Sequence, residues 1–109
     1  MTSMEVILVF CTFPDGEQAR QIGTSLVNAK LAACVNLVPG IESIYHWQGK
    51  VETSQEVLAL FKTTASCYPE LEQRLIELHP YDVPEILAVS PKAVSPAYAQ
   101  WVGDSTHPD

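Results

Sequence analysis

Between Ala33 and Thr63 two strand-forming runs are separated by little more than Gln48 and Gly49, and no other stretch of the chain constrains its fold as strongly. The first run, Ala33 to Trp47, is rich in β-branched and aromatic residues. Pro39 and Gly40 interrupt it where a central ladder would not tolerate them, so a bulge or bend is expected there. The second run, Val51 to Thr63, alternates with period two, with Val57, Ala59 and Phe61 on one face and Leu58 and Leu60 on the other. A turn at Gln48 and Gly49 makes the pair one hairpin. About a dozen residues per arm at ~3.3 Å each give a ribbon of roughly 40 Å, twice the usual strand length. A chain of 109 residues cannot cover such a ribbon. Its outer half exposes Ile41, Ile44, Tyr45 and Trp47 with unpaired strand edges, so Ile44, Tyr45 and Trp47 are expected to be interface anchors between copies of the chain. A twofold dimer and a ring of three both satisfy that need.

The remaining elements follow from periodicity. Glu5 to Phe13 is a nearly continuous apolar run, which predicts a central strand covered on both faces. Asp15 with Gln18 three residues on forms a capping-box pattern. The helix it opens carries Ala19, Ile22, Gly23, Leu26 and Val27 as one stripe. A second helix starts near Ser66, has Pro69 in its first turn and Tyr68, Leu71, Leu75 and Leu78 at helical spacing, and ends before Pro80. Ile86 to Ser90 reads as a short strand, and Ser95 with Pro96 opens a last helix bearing Tyr98, Trp101 and Val102 on one side. The order β-α-β-β-α-β, then α, is the ferredoxin-like α+β pattern, an antiparallel sheet with its first and third strands in the middle and a C-terminal helix added. One domain over residues 1–109 is expected, with its core at about 5–102 and a flexible tail at 103–109.

Six Lys and Arg against 13 Asp and Glu give a net charge of −7, which lacks the cationic footprint that nucleic acid or an anionic membrane requires. Charged residues make up 17% of the chain against ~25% in an average one, and a surface poor in charge is often a surface covered by a partner. Val6 to Cys11 is far too short to span a membrane, and Met1 to Glu5 lacks the basic start of a signal peptide, so a cytoplasmic location is expected. Cys11, Cys34 and Cys67 are odd in number and widely spaced, and are read as free thiols.

The chain has no Gly-rich phosphate loop, nucleophile elbow or C-x-x-C pair, and is read as a non-enzyme. The topology brings Cys11 to the His79–Glu85 segment, where sulfur and imidazole make a candidate site for a thiophilic metal such as copper or zinc. The competing structural reading makes Cys11 a small core hydrophobe and His79 a helix-ending side chain. Cys34 starts the second strand away from Cys11 and reads as a core residue, and Cys67 opens the second helix as a partly exposed thiol. His79 to Glu85 holds two prolines, an aromatic, two acids and a His in a stiff loop of the kind that binds ligands. Glu56 and Lys62 share a face of the third strand, too far apart to pair.

Four spaced blocks, Cys11-Thr12-x-Pro14-Asp15, Leu31-Ala32-Ala33-Cys34-Val35-Asn36, Tyr45-x-Trp47-x-Gly49-Lys50 and His79-Pro80-Tyr81-x-x-Pro84-Glu85, resemble the CutA divalent-cation tolerance family over roughly Glu5 to Val102. The resemblance implies a cytoplasmic homotrimer of ferredoxin-like subunits, related in architecture to PII signalling trimers, with hairpins pairing between subunits. It further implies copper at Cys11 and at a histidine pair of which this chain keeps His79 and has Leu78 in the first place. Sulfur ligation favours Cu(I), whereas Cu(II) oxidises a thiol. Two other functions fit the same architecture. One is a PII-like receptor whose intersubunit cleft, lined by Tyr81, Glu56, Lys62 and Glu85, takes a small anionic ligand or nucleotide; the other is a structural trimer that serves as a platform for protein partners.

Overall fold

The apolar run near the start forms β1 (Val6–Phe13), which pairs antiparallel with β3 (Lys50–Thr64) on one side and β4 (Ile86–Val89) on the other. The structure is a computed structural model and describes residues 5–107. With β2 (Cys34–Trp47) beside β3, the sheet order is β2-β3-β1-β4, all antiparallel, with the first and third strands in the middle as the connectivity predicts. The helices α1 (Gly16–Asn28), α2 (Tyr68–Leu78) and α3 (Pro96–Asp104) complete an α+β fold of the ferredoxin-like order.

Alternation along the strands decides which face is buried. Ile7, Val9, Cys11 and Phe13 of β1 share one face with Val57, Ala59 and Phe61 of β3, and all seven are buried in the main core with Ala19, Ile22, Leu26, Leu71 and Leu75 of α1 and α2. The residues between them point the other way. There α3 covers only one corner, where Val102 packs with Val6 and Ala33, while Leu8, Phe10, Leu58 and Leu60 remain half-exposed. The expected cover on both faces of β1 is therefore corrected: one chain covers one face and a corner of the other.

The hairpin overshoots the sheet as its length predicts. β1 ends opposite Val57, so residues 41–56 pair only with each other, and the longest dimension is 46 Å against 26 and 21 Å across. In that ribbon Ile44 is 67% exposed and Trp47 60%. A register shift between Val38 and Ile41 marks the bulge at Pro39 and Gly40, and Gly40 has φ +73°. Gln48 and Gly49 both have positive φ, 51° and 80°, as the twist-matched two-residue hairpin turn requires.

Helix ends follow local chemistry. Asp15 Oδ1 accepts from the Gln18 N–H at 2.8 Å, and the Gln18 side chain donates to Asp15 Oδ2 instead of reaching back to the cap's own N–H. α1 closes with Leu31 N–H on the Leu26 carbonyl and Lys30 N–H on Val27, a Schellman arrangement in which Lys30, at φ 62°, holds a place usually given to Gly. Cys67 caps α2 and is fully buried, which corrects the expected partly exposed thiol; Leu78 at the other end is exposed. In α3, Val102 faces inward, while Tyr98 and Trp101 face out with ring centroids 5.7 Å apart. The flexible tail expected from Gly103 is also corrected. Gly103 and Asp104 end α3, Thr106 is buried, and His107 N–H bonds the Lys30 carbonyl at 2.9 Å. Pro108 and Asp109 lie outside the described residues. Among the described residues no helix is long and apolar enough to cross a membrane.

Candidate functional site

Pro80 fixes how the loop after α2 begins. A residue before proline is driven out of the helical region, and His79 is extended at φ −71° and ψ 141°, which ends the helix and turns its ring toward the end of β1. His79 Nε2 lies 2.7 Å from the Thr12 carbonyl oxygen, and its ring stacks on Phe13 with centroids 4.6 Å apart. A carbonyl only accepts, so Nε2 carries the proton. Nδ1 is then free to accept the Tyr81 N–H at 3.1 Å, and the imidazole is the neutral tautomer with both nitrogens engaged. Burial pushes the His79 pKa below its ordinary value, against a weaker upward pull from the Thr12 carbonyl and Glu56.

The network continues outward. Tyr81 Oη donates to Glu56 Oε2 at 2.7 Å and Ser43 Oγ donates to Glu56 Oε1 at 2.6 Å, so one carboxylate ties the loop to both strands of the ribbon. Desolvation, then the bond to Glu56 and its charge, hold the Tyr81 hydroxyl far above the ordinary tyrosine pKa, so it stays a donor. Tyr45 Oη donates to Ser54 Oγ at 3.2 Å on the same ribbon face. Above these groups lies an open cleft of about 1060 Å³ between ribbon and loop, walled by Tyr45, Trp47, Glu52, Glu56, Tyr81 and Glu85 among others.

Five of the residues expected to bind ligand or form an interface, Ile44, Tyr45, Trp47, Glu56 and Tyr81, line this cleft together with the expected Glu85. Lys62 does not, which is a correction. It sits opposite Leu8 and Cys34, six residues along β3 from Glu56 and thus roughly 20 Å away, and its ammonium bonds the Asn36 side-chain oxygen. Cys11 lies opposite Ala59 and Ile86, next to the loop as expected, but fully buried. Desolvation, with Glu85 and Glu56 adding to it, pushes its thiol pKa up to about 12. Cys34 is half-buried on the opposite sheet face, its Sγ 3.7 Å from Tyr98 Oη.

Soft-metal ligation needs a thiolate and a free imidazole nitrogen. Cys11 is a buried thiol and His79 has no free nitrogen, so as arranged the pair does not fit a copper ion. Among the described residues no three His, Cys, Asp or Glu side chains converge as metal ligands. Sequence reasoning missed Ser43 and the Thr12 carbonyl, since the bulge that sets the ribbon's register and the tautomer of His79 leave no mark in the order of residues.

The bonds of the His79 ring to the Thr12 carbonyl and the Tyr81 N–H form a latch between β1 and the loop, and this latch makes stability depend on pH. The folded pKa of His79 lies below the unfolded value of about 6.5, so its contribution is fully present above that pH and is lost as pH falls toward the folded pKa. Urea unfolding at fixed protein concentration is expected to show stability declining from about pH 6.5 downward, with a smaller decline in His79→Gln. Equal declines in both proteins would show that His79 is not the group responsible.

A family model for the CutA1 divalent ion tolerance protein matches residues 7–105. The chain is 48% identical over 102 residues to the divalent-cation tolerance protein CutA of Thermus thermophilus, covering 94% of this chain and 97% of that protein. It is 42% identical over 105 residues to the chloroplastic protein CutA 1 of Oryza sativa subsp. japonica, covering 96% of this chain but 59% of the rice protein. The crystal structure of CutA1 from Oryza sativa superposes with a TM-score of 0.93 at 41% identity, covering 98% of each chain.

Proposed function

The chain belongs to the CutA1 divalent ion tolerance family, and from that premise we propose that it serves divalent-cation tolerance as a cytoplasmic homotrimer, by assembly and binding and not by catalysis. The observation that carries the assembly is the apolar sheet face turned away from α1 and α2. Phe10, Leu58 and Leu60 are half-exposed at its centre, and Val38, Leu87 and Val89 are exposed around them. Such a face, continuous with an overhanging ribbon, is the mark of an interface. The sheet also ends in two unlike edges, the 14-residue β2 and the four-residue β4, and a contact between unlike edges is heterologous, the kind from which rings are built when its rotation closes. The choice of three follows the resemblance to the family.

Binding without catalysis is supported by the saturation of the site's polar groups. Glu56 is held by Tyr81 and Ser43, His79 by Thr12 and Tyr81, and the Cys11 thiol is buried and protonated. Copper at Cys11 and His79 is not part of the proposal, because neither donor is open to a metal. A small anion, as in the PII-like reading, would find no Lys, Arg or His among the cleft residues of one chain.

Two measurements test the proposal. Sedimentation at micromolar concentration is expected to give the mass of three chains. Cells lacking the gene are expected to grow poorly in raised divalent metal and to be rescued equally by the wild type and Cys11→Ser. A one-chain mass, or unchanged tolerance without the gene, would overturn it.

A further inference from the structure

The ribbon leaves the sheet at a joint. Phe13 ends the pairing of β1 opposite Val57, and the next pair outward on the ribbon, Ile41 with Glu56, lies past the bulge at Pro39 and Gly40. A bulge bends its strand, and Pro39 offers the ladder no N–H. Gly40 is at φ +73°, and a Cβ there would meet nothing within 4 Å, so this glycine serves the bend of the backbone and not a close packing contact. Past the joint, residues 41–56 pair only with each other, and a two-stranded ribbon by itself is marginal in water.

One link crosses the joint. The Tyr81 hydroxyl donates to Glu56 Oε2 at 2.7 Å, a short bond to a charged acceptor, and among the described residues it is the only side-chain hydrogen bond between the ribbon and the rest of the chain. Both of its ends are fixed. Ser43 Oγ on the other Glu56 oxygen sets where the carboxylate points. Tyr81 follows Pro80, places its N–H on His79 Nδ1, and has its ring 4.9 Å from the His79 ring, which is bonded to Thr12 and stacked on Phe13 at the end of β1. We propose that this series of contacts is a strut that sets the direction of the ribbon about the bulge, and that the loop thereby controls assembly. The strut is a property of one chain, whereas the control of assembly rests on the homo-oligomer proposed above. Leverage makes direction matter. From Ile41 to the turn the ribbon runs roughly 20 Å, so a swing of about 15° moves its tip by roughly 5 Å, a whole strand spacing. A ribbon free to swing has to be ordered as copies meet, which weakens association, whereas a strutted ribbon is already aimed before its copies cover it.

The test compares two hydroxyl deletions in the full-length protein. Tyr81→Phe removes the strut and keeps the ring, and Tyr45→Phe removes the bond to Ser54, which lies within the ribbon. In Tyr81→Phe, hydrogen exchange read by mass spectrometry is expected to be roughly tenfold faster in peptides from residues 41–56 and unchanged in peptides from β1. Subunit exchange between isotope-labelled and unlabelled assemblies, followed by native mass spectrometry, is expected to quicken by a similar factor, because a ribbon untied from its own body peels away first. Tyr45→Phe should stay within about twofold of the wild type in both measurements. Adding Tyr81→Phe to Glu56→Ala should change nothing further, since both remove the same link. Wild-type behaviour in Tyr81→Phe, equal effects of the two single variants, or faster exchange in β1 as well would each overturn the strut. Faster exchange in the ribbon with unchanged subunit exchange would overturn the control of assembly. A one-chain mass for the wild type would remove the assembly itself, and the ribbon exchange of Tyr81→Phe would still decide the strut.

Discussion

Leu60→Glu is expected to release single, folded chains. Leu60 lies on the sheet face away from α1 and α2, opposite Phe10 on β1 and Asn36 on β2, and Phe10 is in turn opposite Leu87. In one chain this face meets water, so a carboxylate there stays hydrated and the core beneath, built from Val57, Ala59 and Phe61, is untouched. In an assembly that covers the face, the same carboxylate is buried without a partner. That costs several kcal/mol per chain, and a closed ring multiplies the cost by its members. Sedimentation should show the mass of one chain, far-UV circular dichroism should be nearly unchanged, and the melting temperature should fall and lose its dependence on protein concentration. A three-chain mass for Leu60→Glu would mean that this face is not the interface.

The fold was legible because its strongest signals were also its most constrained. Alternation in β3 announced which face would be buried, and Val57, Ala59 and Phe61 are indeed buried while Leu58 and Leu60 are not. Pro39 with Gly40 and Gln48 with Gly49 located the bulge and the turn, because few backbone conformations accommodate those residues where they stand. The failures have equally physical origins. Lys30 closes α1 in a left-handed conformation that its residue type disfavours, held by the bonds of Lys30 and Leu31 back to the helix, and local propensity could not announce it. The tail from Gly103 looked featureless because its order comes from tertiary contacts, the burial of Thr106 and the bond of His107 to Lys30. The apolar run of β1 implied cover on both faces, and one chain supplies only part of it.

The site was legible in its members and not in their roles. Cys11, His79, Tyr81, Glu56 and Glu85 do gather at one end of the sheet, since antiparallel pairing of β1 with β4 brings the loop before β4 to the end of β1. Residue types then offered a soft-metal pair beside a structural reading of the same two side chains. Burial reversed the chemistry of both members, keeping the thiol protonated and the imidazole neutral, and burial is set by three-dimensional packing that spacing does not reveal. Lys62 shares the strand and the face of Glu56, but parity says nothing about distance along the strand, and distance removes it from the cleft.

Phe13→Ala is expected to cause the largest loss of stability of any substitution at the site. Phe13 is fully buried at the end of β1, packed in the main core, with the His79 ring stacked on it at an interplanar angle of 21°. Truncation removes the transfer energy of the ring and leaves a cavity, about 3–5 kcal/mol together, a large share of the 5–15 kcal/mol that holds a typical domain. Phe61→Ala is the comparison, because Phe61 is also fully buried in the same core but lies four residues along β3 from Val57, the partner of Phe13. Both variants should lose similar stability by urea midpoint. They should differ in the latch. With Phe13 gone one wall of the His79 pocket is open to water, the desolvation that depresses its pKa is relieved, and the imidazole titrates closer to the unfolded value of about 6.5. In Phe61→Ala the His79 titration, followed by NMR, should stay where it is in the wild type. If the two variants shift His79 alike, the latch responds to the looseness of the whole core and not to the ring that stacks on it.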